Sequence, residues 1–126
     1  MGHCPCGSGD AYDDCCGPYH RGERTPPTAE ALMRSRYSAF AVGAAPYLLA
    51  SWHPSTRPST VELDDHVAWR HLQIARTENG GPWDTDGVVE FTAHFSRRDA
   101  RGRLHEVSRF VREDGRWYYV DGEIAD

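Results

Sequence analysis

Four cysteines fall within the first 16 residues of this chain, in the run Cys4-Pro5-Cys6-Gly7-Ser8-Gly9-Asp10-Ala11-Tyr12-Asp13-Asp14-Cys15-Cys16, and none occurs in the 110 residues that follow. That clustering decides between two uses of cysteine. A disulfide framework spreads its bridges along a chain so that they close long loops. Here every bridge would close about a dozen residues or fewer, where the entropic gain is smallest, and a bridge between the neighbours Cys15 and Cys16 would be strained. A metal ion needs the opposite arrangement, short spacings that bring four sulfurs to one point. Zinc is borderline-soft, has no d-electron geometric preference and takes four thiolates in a tetrahedron at about 2.3 Å. Pro5 stiffens the Cys4–Cys6 turn, and a single helical turn over 10–14 would deliver Cys15 and Cys16. A shell of four thiolates leaves no position for water, so the site predicted is one structural Zn2+ held by Cys4, Cys6, Cys15 and Cys16. Two alternatives stay open: four free or redox-active thiols, and replacement of one sulfur, that of Cys16 first, by His3 or His20.

The rest of the composition bounds the class of partner. The formal net charge is −5, and all 14 basic residues are arginine. An acidic balance argues against a general nucleic-acid binder, because neutralising phosphates requires a positive face. No segment approaches the about 20 apolar residues of a membrane helix, and the N-terminus has no signal-peptide core. The expectation is a cytoplasmic protein with no nucleic-acid or membrane partner. With 4 Trp, 6 Tyr and 4 Phe, the chain has the side chains for a single apolar core.

Three segments follow one another: a Cys-rich knuckle over 1–17, a proline-containing linker over 18–27 and one domain over 28–126. Thr28 reads as a helix N-cap, and Leu32, Met33, Arg36, Tyr37, Phe40 and Ala41 recur at helical spacing up to a stop at Gly43. Pro46 opens a second short helix that runs through Trp52 and is closed by Pro54. Beyond residue 60 the period changes to two. Strands are predicted over 69–77, 87–97, 104–113 and 116–122, with Val89, Phe91, Ala93 and Phe95 on one face of the second. The polar run 97–103, with Gly102, reads as one hairpin connection, and Asp114-Gly115 is a second and stronger hairpin signal. Helices first and hairpin-linked strands after them give an α+β fold, with the helices laid on one face of a curved antiparallel sheet.

The knuckle resembles the SEC-C motif, named for the C-terminal tail of the SecA motor ATPase. The runs GPYHRGE (17–23), PPTAEALMRSRYSAF (26–40), LLASWHPSTRP (48–58), HEVSRFVRE (105–113) and GRWYYVDG (115–122) are similar to the YchJ family, and the likeness covers nearly the whole chain. The resemblance implies a SEC-C zinc knuckle on a cone-shaped domain like nuclear transport factor 2, and it brings no established activity with it. Some family members carry a second SEC-C knuckle after the cone domain; no such motif follows residue 16 here.

A cone domain of this kind implies a pocket between the helices and the concave sheet face. Tyr37, Trp52, His53, Glu106, Ser108 and Tyr119 are the polar and aromatic residues expected to line it. Each also has a plainer account, a hydrogen-bonded pair inside the core. There is no nucleophile elbow, no glycine-rich phosphate loop and no second metal-ligand cluster, so no catalytic residue is assigned and the balance leans away from an enzyme. Three functions remain. The first is a non-enzymatic adaptor that docks another protein through the zinc knuckle, as the similar knuckle of SecA docks the chaperone SecB. The second is a small-molecule carrier or an enzyme of isomerase or hydrolase type using the cone pocket. The third is redox or metal sensing by the thiols. A homodimer through the uncovered sheet face is a further expectation, by analogy with cone domains.

Overall fold

The computed structural model describes residues 3–125. A short α1 (Gly17–His20), the long α2 (Ala29–Val42) and α3 (Ala45–Ala50) precede four strands, β1 (Val67–Asn79), β2 (Asp86–Arg97), β3 (Ala100–Glu113) and β4 (Arg116–Ile124). The strands form one antiparallel sheet in the order β1-β2-β3-β4. The expected α+β architecture is therefore the one observed.

The helix boundaries follow from local chemistry. Thr28 is extended, and its hydroxyl accepts a hydrogen bond from the Ala31 amide at 3.0 Å, capping one of the free donors at the start of α2. Gly43 ends the helix in the left-handed region at φ 81°, where a Cβ would be strained. In α3, Pro46 stands at the first turn, where its missing amide costs nothing. The helix ends at Ala50, before Trp52. The backbone of 51–53 is instead taken up by β4: the Tyr119 amide donates to the Ser51 carbonyl and the His53 amide to the Tyr119 carbonyl, at 2.9 and 2.7 Å.

Both tight hairpins have two residues in the left-handed region, Arg98-Asp99 (φ 51° and 71°) and Asp114-Gly115 (φ 54° and 76°), which matches the right-handed twist of the strands they join. The first corrects the broad 97–103 connection. Gly102 lies inside β3 opposite Phe95, and a Cβ there would stand 2.6 Å from the Phe95 ring, so this glycine makes room for an aromatic cross-strand neighbour. The linker expected over 18–27 also begins as structure, since Pro18 sits buried within α1.

The period of two decides what each sheet face does. Leu72, Val89, Phe91, Ala93, Phe110 and Trp117 turn toward α2 and form the core with Ala29, Leu32, Met33 and Tyr37. On the other face Glu90 bonds His105 Nε2 at 2.6 Å and Arg76 Nε at 3.0 Å, while His71 and His94 stack across β1 and β2. Burying the apolar face of a helix and a sheet against each other is worth about 25 cal/mol per Å2 of apolar surface removed from water.

A four-sulfur cluster and a cone cavity

The knuckle is built by backbone turns that converge on sulfur. The Cys4 amide donates to the Asp10 carbonyl at 2.7 Å and the Gly7 amide to the Cys4 carbonyl at 3.2 Å, folding 4–10 into a loop. A 3-10 turn over Tyr12–Asp14 then brings Cys15 and Cys16 back toward it. One ligand atom from each of Cys4, Cys6, Cys15 and Cys16 lies within 4.8 Å of the others. Cys6 and Cys15 sulfurs are 3.6 Å apart, and those of Cys15 and Cys16 are 3.9 Å apart. Four thiolates at about 2.3 Å from a common centre stand about 3.8 Å from one another. The residues therefore fit a tetrahedral metal ion.

Their electrostatics call for a cation. Hydrogen bonding from Cys16, and from Ser8 and Cys15, holds the Cys6 thiol down to about 4 against the effect of its burial. Burial pushes Cys15 up to about 11, and the Cys6 thiolate adds to that. Cys16 is pushed up further, first by its hydrogen bond to Cys6 and then by burial. One thiolate thus forms readily and opposes the next, as like charges in one site do. A divalent cation at the centre removes that opposition.

Neither flanking histidine joins the cluster. His3 pairs with Ala11 in a β-bridge. His20 accepts from the Tyr12 hydroxyl at Nδ1 (2.5 Å) and donates from Nε2 to the Ser35 carbonyl (2.8 Å), which fixes its tautomer. Burial keeps its pKa below the ordinary histidine value.

These contacts also fasten the knuckle to α2. The Arg34 guanidinium donates to the Cys6 carbonyl at 2.9 Å, and the buried Ser38 hydroxyl lies 3.4 Å from the Cys4 sulfur. Cys4, Cys6 and Cys16 are all buried. The knuckle is a packed part of the domain rather than a bead on a tether.

The second feature is a cavity of about 280 Å3 between α2 and the concave sheet face. Tyr37, Trp52, Glu106, Ser108 and Tyr119 line it, together with Met33, Arg36, Phe40, Trp69, Phe91, Ala93 and Leu104. His53 lies outside the lining. Its ring is held by Ser55 at 2.7 Å and by Glu113 at 2.9 Å, because the chain leaves α3 toward β4 and carries the imidazole to the outer edge.

Two polar groups of the lining have no protein partner, the Tyr37 hydroxyl and the Trp52 indole nitrogen. Arg36 is 4% exposed, and its Nη1 donates to the Leu48 carbonyl (2.8 Å) and the Ser51 hydroxyl (2.6 Å). Its guanidinium carbon stands 4.4 Å from the Tyr119 ring centre and 5.0 Å from that of Trp52. Burial pulls its pKa down to about 10, which leaves it charged at neutral pH, and burial pushes Tyr37 up to about 12. Ser108 donates to Glu106 at 2.6 Å.

Arg36 is the site residue that the sequence pattern contained but did not single out. It occupies a position of the apolar helical stripe, and a charged side chain there is the signal of a buried cation. Trp69, Phe91 and Leu104 read as ordinary core from sequence, and only the sheet's curvature separates cavity wall from filled core.

Fold and site together define a class: a four-cysteine SEC-C motif packed on an α+β domain like nuclear transport factor 2. The SEC-C motif matches residues 4–18, and the middle domain of YchJ, NTF2-like, matches residues 28–122. The chain belongs to the YchJ family, among the UPF0225 proteins. It is 53% identical to a UPF0225 protein of Chromobacterium violaceum, covering 97% of this chain and 93% of that one. To a UPF0225 protein of Streptomyces coelicolor it is 50% identical, covering 98% and 96%. The solution structure of a SEC-C motif containing protein from Rhodopseudomonas palustris is similar at a TM-score of 0.84 and 36% identity, with 98% of each chain covered. A crystal structure of a SEC-C motif containing protein from Psychrobacter arcticus is similar at a TM-score of 0.77 and 28% identity, covering 98% of this chain and 82% of that one.

Among the described residues, no helix is long and apolar enough to cross a membrane.

Proposed function

We propose that this chain is a small-molecule-binding protein that takes one ligand in the cone cavity, with a structural zinc ion in the knuckle. The observation that carries the ligand reading is the cavity itself, an apolar wall that holds the buried Arg36 guanidinium and includes Tyr37 and Trp52, whose hydroxyl and indole N–H have no protein partner. Buried polar groups are ordinarily paired, and leaving one unpaired costs about 1–3 kcal/mol. Tyr37 and Trp52 belong to one cavity wall, and a ligand to which their side chains turn would relieve that cost. At about 280 Å3 the space is near the lower end of ligand pockets, about 300–1,000 Å3, and its lining is mostly apolar with a few convergent polar groups.

The metal has a separate part in this proposal. A shell of four thiolates offers no open position for substrate or water, and zinc there holds residues 4–16 against α2. Native mass spectrometry with metal analysis is expected to find one zinc per chain.

The ligand reading is tested with toluene, benzyl alcohol and benzoate, following the Trp52 indole N–H by nuclear magnetic resonance. At least one probe is expected to bind saturably, one per chain. Ala93→Phe fills the cavity from β2 and is expected to abolish that binding while circular dichroism shows a folded protein. If no probe perturbs Trp52, or if Ala93→Phe binds as well as the wild type, the cavity is not a binding site.

One observation supports a second reading, protein docking through the knuckle. Gly7, Ser8, Gly9, Asp10, Asp13 and Asp14 form an exposed rim beside the buried sulfurs, with three carboxylates on it. An Asp10→Arg/Asp14→Arg variant that still recovers the partners of the wild type would remove this reading.

A further inference from the structure

The balance of donors and charge in the cavity says what its ligand carries. This inference rests on the cavity being a binding site. Arg36 brings a full positive charge into a nearly closed environment, and among the described residues no carboxylate lies within ion-pair distance of it. Only Nη1 makes hydrogen bonds within the protein; Nε and Nη2 make none among the described residues. The Tyr119 and Trp52 ring faces offset part of the cost of burying that charge, but an aromatic face is a weak substitute for a counter-ion. Trp52 Nε1 is a donor with no acceptor capacity, and the Tyr37 hydroxyl, which can donate or accept, has no partner. The unmet groups in the residues of this wall are therefore mainly donors, and the same wall holds a cation.

Glu106 is the opposing charge in the same cavity. Ser108 donates to it at 2.6 Å, it occupies the space that a Cβ at Gly122 would take, and from beyond ion-pair distance it favours the charged form of Arg36. A cation on the ligand would find a carboxylate already hydrogen-bonded. An anion would find a guanidinium with two nitrogens free. The remaining wall is ring and aliphatic surface, from Phe40, Trp69, Phe91 and Leu104, which favours a flat apolar body.

We propose that the cavity takes a small planar carboxylate of about one aromatic ring, its carboxylate received by Arg36 and, as their side chains turn to it, by Trp52 Nε1 and the Tyr37 hydroxyl, its ring lying among Trp69, Phe91 and Leu104. A guanidinium accepts a carboxylate through paired N–H donors, and burial strengthens that pairing. Binding requires no covalent step.

The test compares benzoate, benzyl alcohol and benzylamine, which share a ring and differ in charge. Affinities are read at the Trp52 indole N–H and by calorimetry on the full chain. Benzoate is expected to bind at least 10-fold more tightly than either of the other two. Tyr37→Phe and Trp52→Phe are each expected to weaken benzoate 3-fold or more and to leave benzyl alcohol nearly unchanged. Arg36→Gln is expected to abolish the preference; where that variant fails to fold, the Tyr37 and Trp52 variants decide. Equal binding of all three probes overturns the carboxylate assignment and leaves a general apolar pocket standing. Tighter binding of benzylamine overturns it in favour of Glu106 as the anchor. Benzoate binding that ignores both Tyr37→Phe and Trp52→Phe overturns it as well. No binding of any probe removes the ligand reading together with its class.

Discussion

Ser38→Ala removes one hydroxyl from the buried face of α2 and so tests whether the knuckle is bonded to the domain through the metal's own ligands. Ser38 is fully buried, and its Oγ stands 3.4 Å from the Cys4 sulfur. Against a metal-bound thiolate the hydroxyl is the donor and the acceptor is charged, a bond worth about 1.5–3 kcal/mol; against a neutral thiol the same contact is worth about 0.5–1.5 kcal/mol. The difference, on the order of 1–1.5 kcal/mol, is present only when metal is bound. By linkage it must appear as lost metal affinity, roughly a 5- to 10-fold weakening at about 1.4 kcal/mol per factor of ten. That reaches only the lower edge of the about 10- to 100-fold losses usual for residues that hydrogen-bond metal ligands, as suits a long contact to sulfur. Alanine also raises intrinsic helix propensity by about 0.5 kcal/mol. That gain accompanies the helix with or without metal and cancels from the affinity. The assay is zinc competition against a chromophoric chelator at fixed pH, for the wild type and Ser38→Ala. A zinc affinity unchanged within 2-fold would refute the reasoning, and would mean that the Ser38–Cys4 contact does not sense the charge on sulfur.

Four further outcomes are expected. Gly87→Ala places a Cβ 2.6 Å from the Gly80 backbone, which has little room to give, so urea denaturation should show a loss of about 1–3 kcal/mol. The nearest atoms to a Cβ at Gly102 belong to the Phe95 ring, which can swing, so Gly102→Ala should cost clearly less than Gly87→Ala in the same assay. Tyr37→Phe, measured with no added ligand, removes an unpartnered buried hydroxyl and should raise stability by about 1 kcal/mol; destabilisation would show that the hydroxyl has a partner. His20 has a folded pKa below its ordinary value, so the unfolded chain binds the extra proton first, and stability from this residue is present at neutral pH and is lost as pH falls through about 6.5. Ring resonances followed by titration should show His20 protonating below exposed histidines and carrying its proton on Nε2 at neutral pH.

Local chemistry carried the elements into the sequence. Thr28, Gly43, Pro46 and Asp114-Gly115 each act within a turn or two of themselves, and the structure uses each of them at its place. The four sulfurs were legible for the same reason, being gathered by a loop of a dozen residues. Sites made by register were not. The His71–His94 stack depends on how β1 pairs β2, including a shift between Trp69 and His71. His53 stands outside the cavity because backbone hydrogen bonds tying Ser51 and His53 to Tyr119, far along the chain, set its direction after α3. The cavity lay between these cases. Glu106 and Ser108 stand between Leu104 and Phe110 on the inward face of β3, a polar pair in an apolar row, and that much could be read. Whether the space beside them was filled depended on the curvature of the sheet.

The knuckle and the cavity meet in α2, and the composition of that helix makes sense only with both. A helix on the surface of a sheet needs one apolar stripe and leaves its other face to water. In α2 the five consecutive residues Ser35, Arg36, Tyr37, Ser38 and Ala39 are all buried, so every side of the helix is covered there. The sheet covers one side only. Arg36 and Tyr37 turn to the cavity, while Ser35 bonds the Tyr47 hydroxyl at 2.6 Å and Ser38 meets Cys4. An all-round buried helix made of leucine and valine would have satisfied the core, but it would have had no hydroxyl for the Cys4 sulfur on one side and no guanidinium for the proposed ligand on the other. The polar residues of α2 are costly to bury, and each of them is answered by a partner except where it faces the cavity. That exception is why the binding surface proposed here lies on the one helix whose opposite side packs against the four cysteines.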